Sequence, residues 1–250
     1  MPALRPLFTA EIIQALQQNR AVNLIAQNGQ GRRRLLDDIK LAGLKNTQVI
    51  ILDMADYKDN YKKFIEAVWE NFTIRGMIPE TLDELITKLE SSIRSKIVLI
   101  LHHFDELLNN SNTNFYTKFF DQLNDIKNHK KMALLCVTTE PHDQSVVCMK
   151  DKVNRYSWLD LDKKRMPKLT YDEIMVELKY RDLSLSAEEL SQLSRIAYSH
   201  VKPYSLLNYL IKKIVVVQMD KYTIFSEKLK IITEQFHLDV KQSNIKHYNI

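Results

Sequence analysis

Apolar positions follow two different rhythms along the chain. Short, near-continuous apolar runs cover residues 21–26, 48–54, 97–101 and 132–137, with a weaker one at 156–161, and predict β-strands. Between them apolar residues recur at helical spacing. Phe64, Ile65, Val68, Trp69 and Phe72 form one such set, Leu82, Leu85, Ile86, Leu89 and Ile93 a second, and Phe115, Phe119, Leu123 and Ile126 a third. Thr81 with Glu84 supplies a capping box for the second helix. Strands that are apolar throughout and separated by helices imply a parallel sheet covered on both faces, an α/β fold.

Beyond about Arg165 the strand pattern stops. Thr170 with Glu173 and Ser186 with Glu189 are two further capping boxes, each opening an amphipathic helix. Pro203 stands where the first turn of a helix through Leu206, Leu207, Leu210 and Ile214 would begin. A last helix is expected over residues 226–236, with a frayed tail from Lys241. The boundary between an α/β core (1–165) and a small all-helical C-terminal lid (166–250) falls near the cluster Lys163, Lys164, Arg165 and Lys168. The sequence has no internal repeat and no low-complexity segment.

Composition narrows the class. The 250 residues are 45% hydrophobic and 27% charged, the balance of a soluble globular protein, and hold only 4 glycines and 6 prolines. No window reaches the roughly 18 uninterrupted apolar residues of a membrane span, and residues 1–10 lack the basic-then-apolar pattern of a secretory signal. Two cysteines, Cys136 and Cys148, are too few for a disulfide framework or a structural zinc site, so a cytoplasmic location is expected. A net charge of +5 permits nucleic-acid contact without requiring it.

Two of the four glycines fall in one stretch, Gly29-Gln30-Gly31, between the first strand and a helix beginning near Arg32. Free backbone N–H groups and a helix N-terminus both favour an anion there. From Ala26 through Asn28 to Leu36 the segment resembles the Walker A loop of P-loop NTPases. In that register Ala26 stands where the first glycine belongs, Arg32 replaces the phosphate-binding lysine, and Arg33 replaces the Ser/Thr that ligates Mg²⁺. A guanidinium can hold a phosphate but cannot ligate a cation. Arg32, Arg33 and Arg34 are about 100° apart on a helix, so they cannot all face one phosphate. The other reading is a tight strand-to-helix turn with an exposed basic start.

The run from Ile97 through His102, His103, Phe104, Asp105 and Glu106 to Leu108 resembles the Walker B strand of STAND and related AAA+ ATPases. In that register His102 and His103 occupy the acidic positions, and histidine is a poor Mg²⁺ ligand. The alternative takes Asp105 and Glu106 as the acidic pair, about three residues past the strand end, roughly 10 Å if extended. His102 and His103, as neighbours on a strand, are expected to point to opposite faces and not to chelate a metal together. Cys136, His142 and Cys148 are too loosely spaced for a metal site. Cys136 reads as a buried small apolar residue.

The run 132–139 resembles the AAA+ strand that ends in a polar γ-phosphate sensor, here Thr138 or Thr139. The stretch from Ser199 to Leu210 resembles the proline-headed lid motif of STAND ATPases, with Pro203 and Tyr204 at the matching positions and Ser199 in place of glycine. The resemblance covers residues 8 to 215. It implies a degenerate ATPase: a pseudo-ATPase that binds ATP or ADP without Mg²⁺, or no nucleotide, and acts as an adaptor or regulatory subunit towards protein partners, with oligomerisation open. Residues 28–33, Thr138 and Pro203 are then the nucleotide-contacting positions. Two alternatives stand beside it: a DNA-binding AAA+ accessory protein, on the basic balance, and an active ATPase using Asp105 and Glu106.

Overall fold

The computed structural model describes residues 2–74, 76–108, 115, 117–140, 145–148, 154–157, 161–216 and 224–248. The chain divides into two compact units. One comprises Leu7–Gln27 and Leu36–Met166; the other comprises Met1–Pro6, Asn28–Leu35 and Pro167–Ile250. The segment 28–35 thus groups with the C-terminal helices.

In chain order the first part runs α1 (Pro6–Gln17), β1 (Ala21–Ile25), α2 (Arg32–Leu41), β2 (Thr47–Asp53), α3 (Tyr61–Trp69), α4 (Leu82–Ser92) and β3 (Lys96–His102). It continues through α5 (Asp105–Leu108), α6 (Thr117–Asp125), β4 (Met132–Thr138), β5 (Ser145–Cys148), β6 (Asn154–Ser157) and β7 (Asp162–Arg165). Five strands form one parallel sheet in the order β2-β3-β4-β1-β7. Every residue of β1 and β4 is buried, as expected of central parallel strands covered on both faces. Helices α3 and α4 present Phe64, Val68, Leu82, Leu85 and Leu89 to the sheet's apolar cluster, where Phe64, Phe115 and Phe119 meet edge to face.

The fifth strand differs from expectation. The apolar run at 156–161 is not one strand: β6 pairs antiparallel with β5 in a separate two-stranded sheet, residues 158–160 lie outside the described residues, and the sheet strand is β7, Asp-Lys-Lys-Arg. β7 is an edge strand and largely exposed, so an apolar pattern could not announce it. Nor did one announce α1, which starts at Pro6 and buries Ile12, Ala15 and Leu16.

The helical unit holds α7 (Tyr171–Tyr180), α8 (Ala187–Ser199), α9 (Pro203–Val216) and α10 (Phe225–Tyr248). The capping boxes at Thr170/Glu173 and Ser186/Glu189 are both complete. That at Thr81 is half formed, because the Glu84 carboxylate accepts from the N–H of Glu80 instead of Thr81. Helix α10 runs well past residue 236, and the tail from Lys241 is helical to Tyr248, since no glycine or proline interrupts it. Leu4, Ile174, Leu178, Leu193, Leu207 and Leu229 belong to this unit's own core. No helix among the described residues is long and apolar enough to cross a membrane.

Candidate functional site

The candidate residues are divided between the two units. In the helical unit, the glycine loop is held by its own neighbours. Gly29 and Gly31 adopt φ of +83° and +87°, a region costly for any residue with a Cβ. The Gly29 carbonyl accepts from the N–H groups of Tyr204 (3.0 Å) and Ser205 (3.2 Å), donors that the start of α9 would otherwise leave unpaired. A Cβ on Gly29 would lie 2.5 Å from the Lys202 Cβ, and one on Gly31 would lie 2.9 Å from the Tyr204 ring. Both glycines therefore have a reason within the chain, the close approach of residues 202–204. Pro203 begins α9 and sits between the two contacts.

Other loop groups are equally engaged. Arg5, 1% exposed, donates from Nη2 to the Gln30 carbonyl (2.7 Å) and from Nε to that of Pro167 (3.0 Å). The Gln30 side chain donates to the Val201 carbonyl (3.0 Å). Among the described residues every peptide bond is trans, so each of the Gln30 and Gly31 N–H groups is directed away from the preceding carbonyl, which is drawn to α9 or to Arg5.

The three arginines separate as their helical spacing requires. Arg32 is half-buried, Arg33 exposed and Arg34 buried. Arg34 Nη1 donates to both carboxylate oxygens of Glu177 at 2.8 Å, and Nη2 to the Pro2 carbonyl at 2.7 Å. Glu177 is itself 2% exposed and also accepts from Arg181 Nε (2.9 Å) and Nη2 (2.7 Å). A lone buried carboxylate would be costly; two guanidinium groups offset that cost. Sequence reading could not select Arg34 from its neighbours, because its partner lies far away in the chain.

In the α/β unit the carboxyl ends of β2, β3 and β4 carry the remaining candidates. His102 is the last residue of β3 and the register partner of Asp53, the last residue of β2. His103 leaves the strand with φ +52°, and this turn overrides the alternation that would send adjacent side chains to opposite faces. The two rings lie 3.8 Å apart between centroids. The expectation that they point apart is thus not met. Asp53 sits against both: its Oδ1 and Oδ2 are 2.8 and 3.0 Å from His103 Nδ1, and its Oδ2 is 3.5 Å from His102 Nδ1. Burial would raise the Asp53 pKa, but the His103 hydrogen bond, the Ala55 amide and the charges of His103 and His102 outweigh it and hold the carboxyl below its ordinary value. Asp53 escaped the sequence reading because it ends an apolar run; the parallel register of β2 with β3 is what gives it meaning.

Asp105 and Glu106 open the short helix α5. The Asp105 carboxylate accepts from the N–H (2.7 Å) and hydroxyl (3.0 Å) of Thr139, and Glu106 lies 3.7 Å from Lys58. Thr138 is fully buried and donates its hydroxyl to Asn23 Oδ1 within the sheet (2.8 Å). Cys136 is fully buried and its thiol pKa is pushed up by desolvation; His142 lies outside the described residues, as do the side-chain surroundings of Cys148.

Solved structures resemble this arrangement. The Aeropyrum pernix Orc1 protein in complex with DNA matches with a TM-score of 0.59 and 14% identity, over 92% of this chain and 65% of that one. Domain III of the Thermotoga maritima replication initiation protein DnaA matches with a TM-score of 0.60 and 12% identity, over 92% of this chain and 90% of that one. The fold is that of an AAA+ P-loop ATPase. Pyrobaculum aerophilum Cdc6p shares this AAA+ fold, with a TM-score of 0.54 and 14% identity over 83% of this chain and 59% of that one. The chain therefore spans less than two thirds of the Orc1 and Cdc6p chains, and the likeness concerns the fold. No family model matches the sequence, and no curated protein matches it. Within the AAA+ fold β1 feeds the glycine loop, β3 carries the two histidines and β4 ends in Thr138.

Proposed function

We propose that the chain is a non-hydrolysing AAA+ module of STAND-like type, an adaptor or regulatory subunit that binds an anion or nucleotide without Mg²⁺. The observation that carries this reading is the donor chemistry at two positions, one in each unit, that the resemblance assigns to cation binding. The loop offers Arg33 in place of a hydroxyl, and the end of β3 offers the buried imidazole of His102 in place of a carboxylate. Mg²⁺ demands oxygen donors, and a guanidinium repels it. Asp53 is a carboxylate beside His102, but one carboxylate between two imidazoles is not the oxygen set that Mg²⁺ demands. Asp105 is tied to Thr139 and Glu106 faces Lys58, which weighs against an active ATPase built on that pair.

Anion binding is supported separately by the glycine loop's place at the start of α2, where a helix N-terminus favours negative charge. Arg32 would hold the terminal phosphates through charge-assisted hydrogen bonds. The test is calorimetry with ATP in the presence of Mg²⁺ or of EDTA, alongside a phosphate-release assay. Equal affinity in both conditions and no turnover are expected. Mg²⁺-dependent turnover abolished by Arg32→Ala would falsify the reading.

A second reading, a DNA-binding accessory protein, is favoured by exposed Lys163 and Arg165 on β7 and by the DNA bound to the Orc1 neighbour. Phosphate-led binding would weaken steeply with salt.

A further inference from the structure

We propose that Asp53, His102 and His103 form a binding site for a zinc-class transition cation. The three side chains each offer a donor atom, and these atoms lie within 4.8 Å of one another. Their convergence is built into the backbone at two levels. The parallel register places Asp53 and His102 side by side at the ends of β2 and β3, and the left-handed turn at His103 folds the next imidazole back over the first.

The spacing suits a small cation. Bonds of about 2.0–2.1 Å in tetrahedral geometry put ligand atoms roughly 3.3–3.4 Å apart. His102 Nδ1 and Asp53 Oδ2 are 3.5 Å apart. The His103 Nδ1 contact with Asp53 is a 2.8 Å hydrogen bond and would open by about half an ångström once the cation replaces the shared proton. Two imidazoles and one carboxylate select zinc, cobalt or nickel over magnesium or calcium, which want oxygen alone. Exposure supplies the fourth position. The His102 side chain is 5% exposed, while those of His103 and Asp53 are 32% and 29% exposed, so water reaches one side of the trio. The site would cross-link the ends of two strands with three protein ligands and one water.

This inference does not rest on nucleotide binding by the glycine loop, and the two can fail separately. The decisive experiment is titration of the full chain, without a histidine tag, with zinc chloride, using cobalt(II) visible absorption to report coordination. One zinc per chain is expected at micromolar affinity or tighter, with a cobalt spectrum of tetrahedral intensity and no response to magnesium chloride. H103A and D53N are each expected to weaken zinc binding at least tenfold; the partly exposed His103 and the isosteric Asn keep the fold, which circular dichroism verifies. If H103A does not fold, H103Q takes its place. Failure to bind zinc, or zinc affinity left intact by either substitution, overturns the site.

Discussion

Arg34 shows how much one residue's meaning depends on its distant partner. Three consecutive arginines are equivalent in sequence, yet only Arg34 is buried, and it meets Glu177 with both carboxylate oxygens engaged. Removing one member of a buried ion pair leaves the other charge uncompensated. Arg181 remains on Glu177, so Arg34→Met is expected to cost about 2–3 kcal/mol, below the loss for a pair with no second cation. Urea denaturation should show a lower midpoint with an unchanged slope. The double change Arg34→Met with Glu177→Met should lose less than Arg34→Met alone, because it leaves no buried carboxylate. Asp53 gives a different kind of prediction. Its folded pKa lies below the ordinary 3.8, so the unfolded chain takes up this proton first as the medium is acidified. The stabilisation is therefore complete above pH 3.8 and is lost as pH falls through the lower folded value. An Asp53→Asn variant, followed by circular dichroism from neutral to acid pH, should show a shallower loss of stability across that window.

At the scale of elements, the contact between α9 and the glycine loop combines two costs that a pair of substitutions can separate. Gly31→Ala would place a Cβ 2.9 Å from the Tyr204 ring at φ +87°. Gly43→Ala meets its nearest atom at 4.0 Å and carries φ +62°, so it feels the backbone cost with little crowding. Left-handed backbone costs a residue with a Cβ about 1–2 kcal/mol. Gly43→Ala is expected within that range, and Gly31→Ala beyond it, with the excess measuring the close approach; thermal unfolding of both variants checks the difference. The elements also show what a sequence yields. β1, β3 and β4 were legible because central parallel strands are apolar throughout, β2 because its run Val49–Leu52 is apolar even at the sheet's edge, and α7 and α8 because complete capping boxes mark their first turns. β7 was not, because an edge strand need not be apolar, and the Asp53–His102–His103 group was not, because strand register and one left-handed residue create it. The glycines were legible as a loop, but their partner at residues 202–204 was not, since nothing local encodes a contact so remote in the chain.

For the molecule as a whole, the issue is what the excess of positive charge does. The cluster that motivates a nucleic-acid reading, Lys163 to Arg165, is β7, which lies at one end of the sheet order. An edge strand exposes unpaired backbone groups that invite another chain, and lysine or arginine on such a strand deters pairing. Part of the charge is already balanced locally: Lys164 lies 2.5 Å from Glu11, and Arg20 lies 3.6 Å from Asp162. Both are exposed or partly exposed pairs of small energetic worth, but they lower the net field that a phosphate backbone would meet. Edge protection and phosphate contact make opposite forecasts for Lys163→Val with Arg165→Val. If both cations touched phosphates, the slope of log affinity against log salt for duplex DNA would fall by about 2. If they guard the edge, that slope stays unchanged and the variant self-associates, because a polar edge has become an apolar one. We expect the second outcome, read as a concentration-dependent rise in mass by light scattering. A variant that stayed monomeric while its salt slope dropped would assign the basic edge to nucleic acid instead.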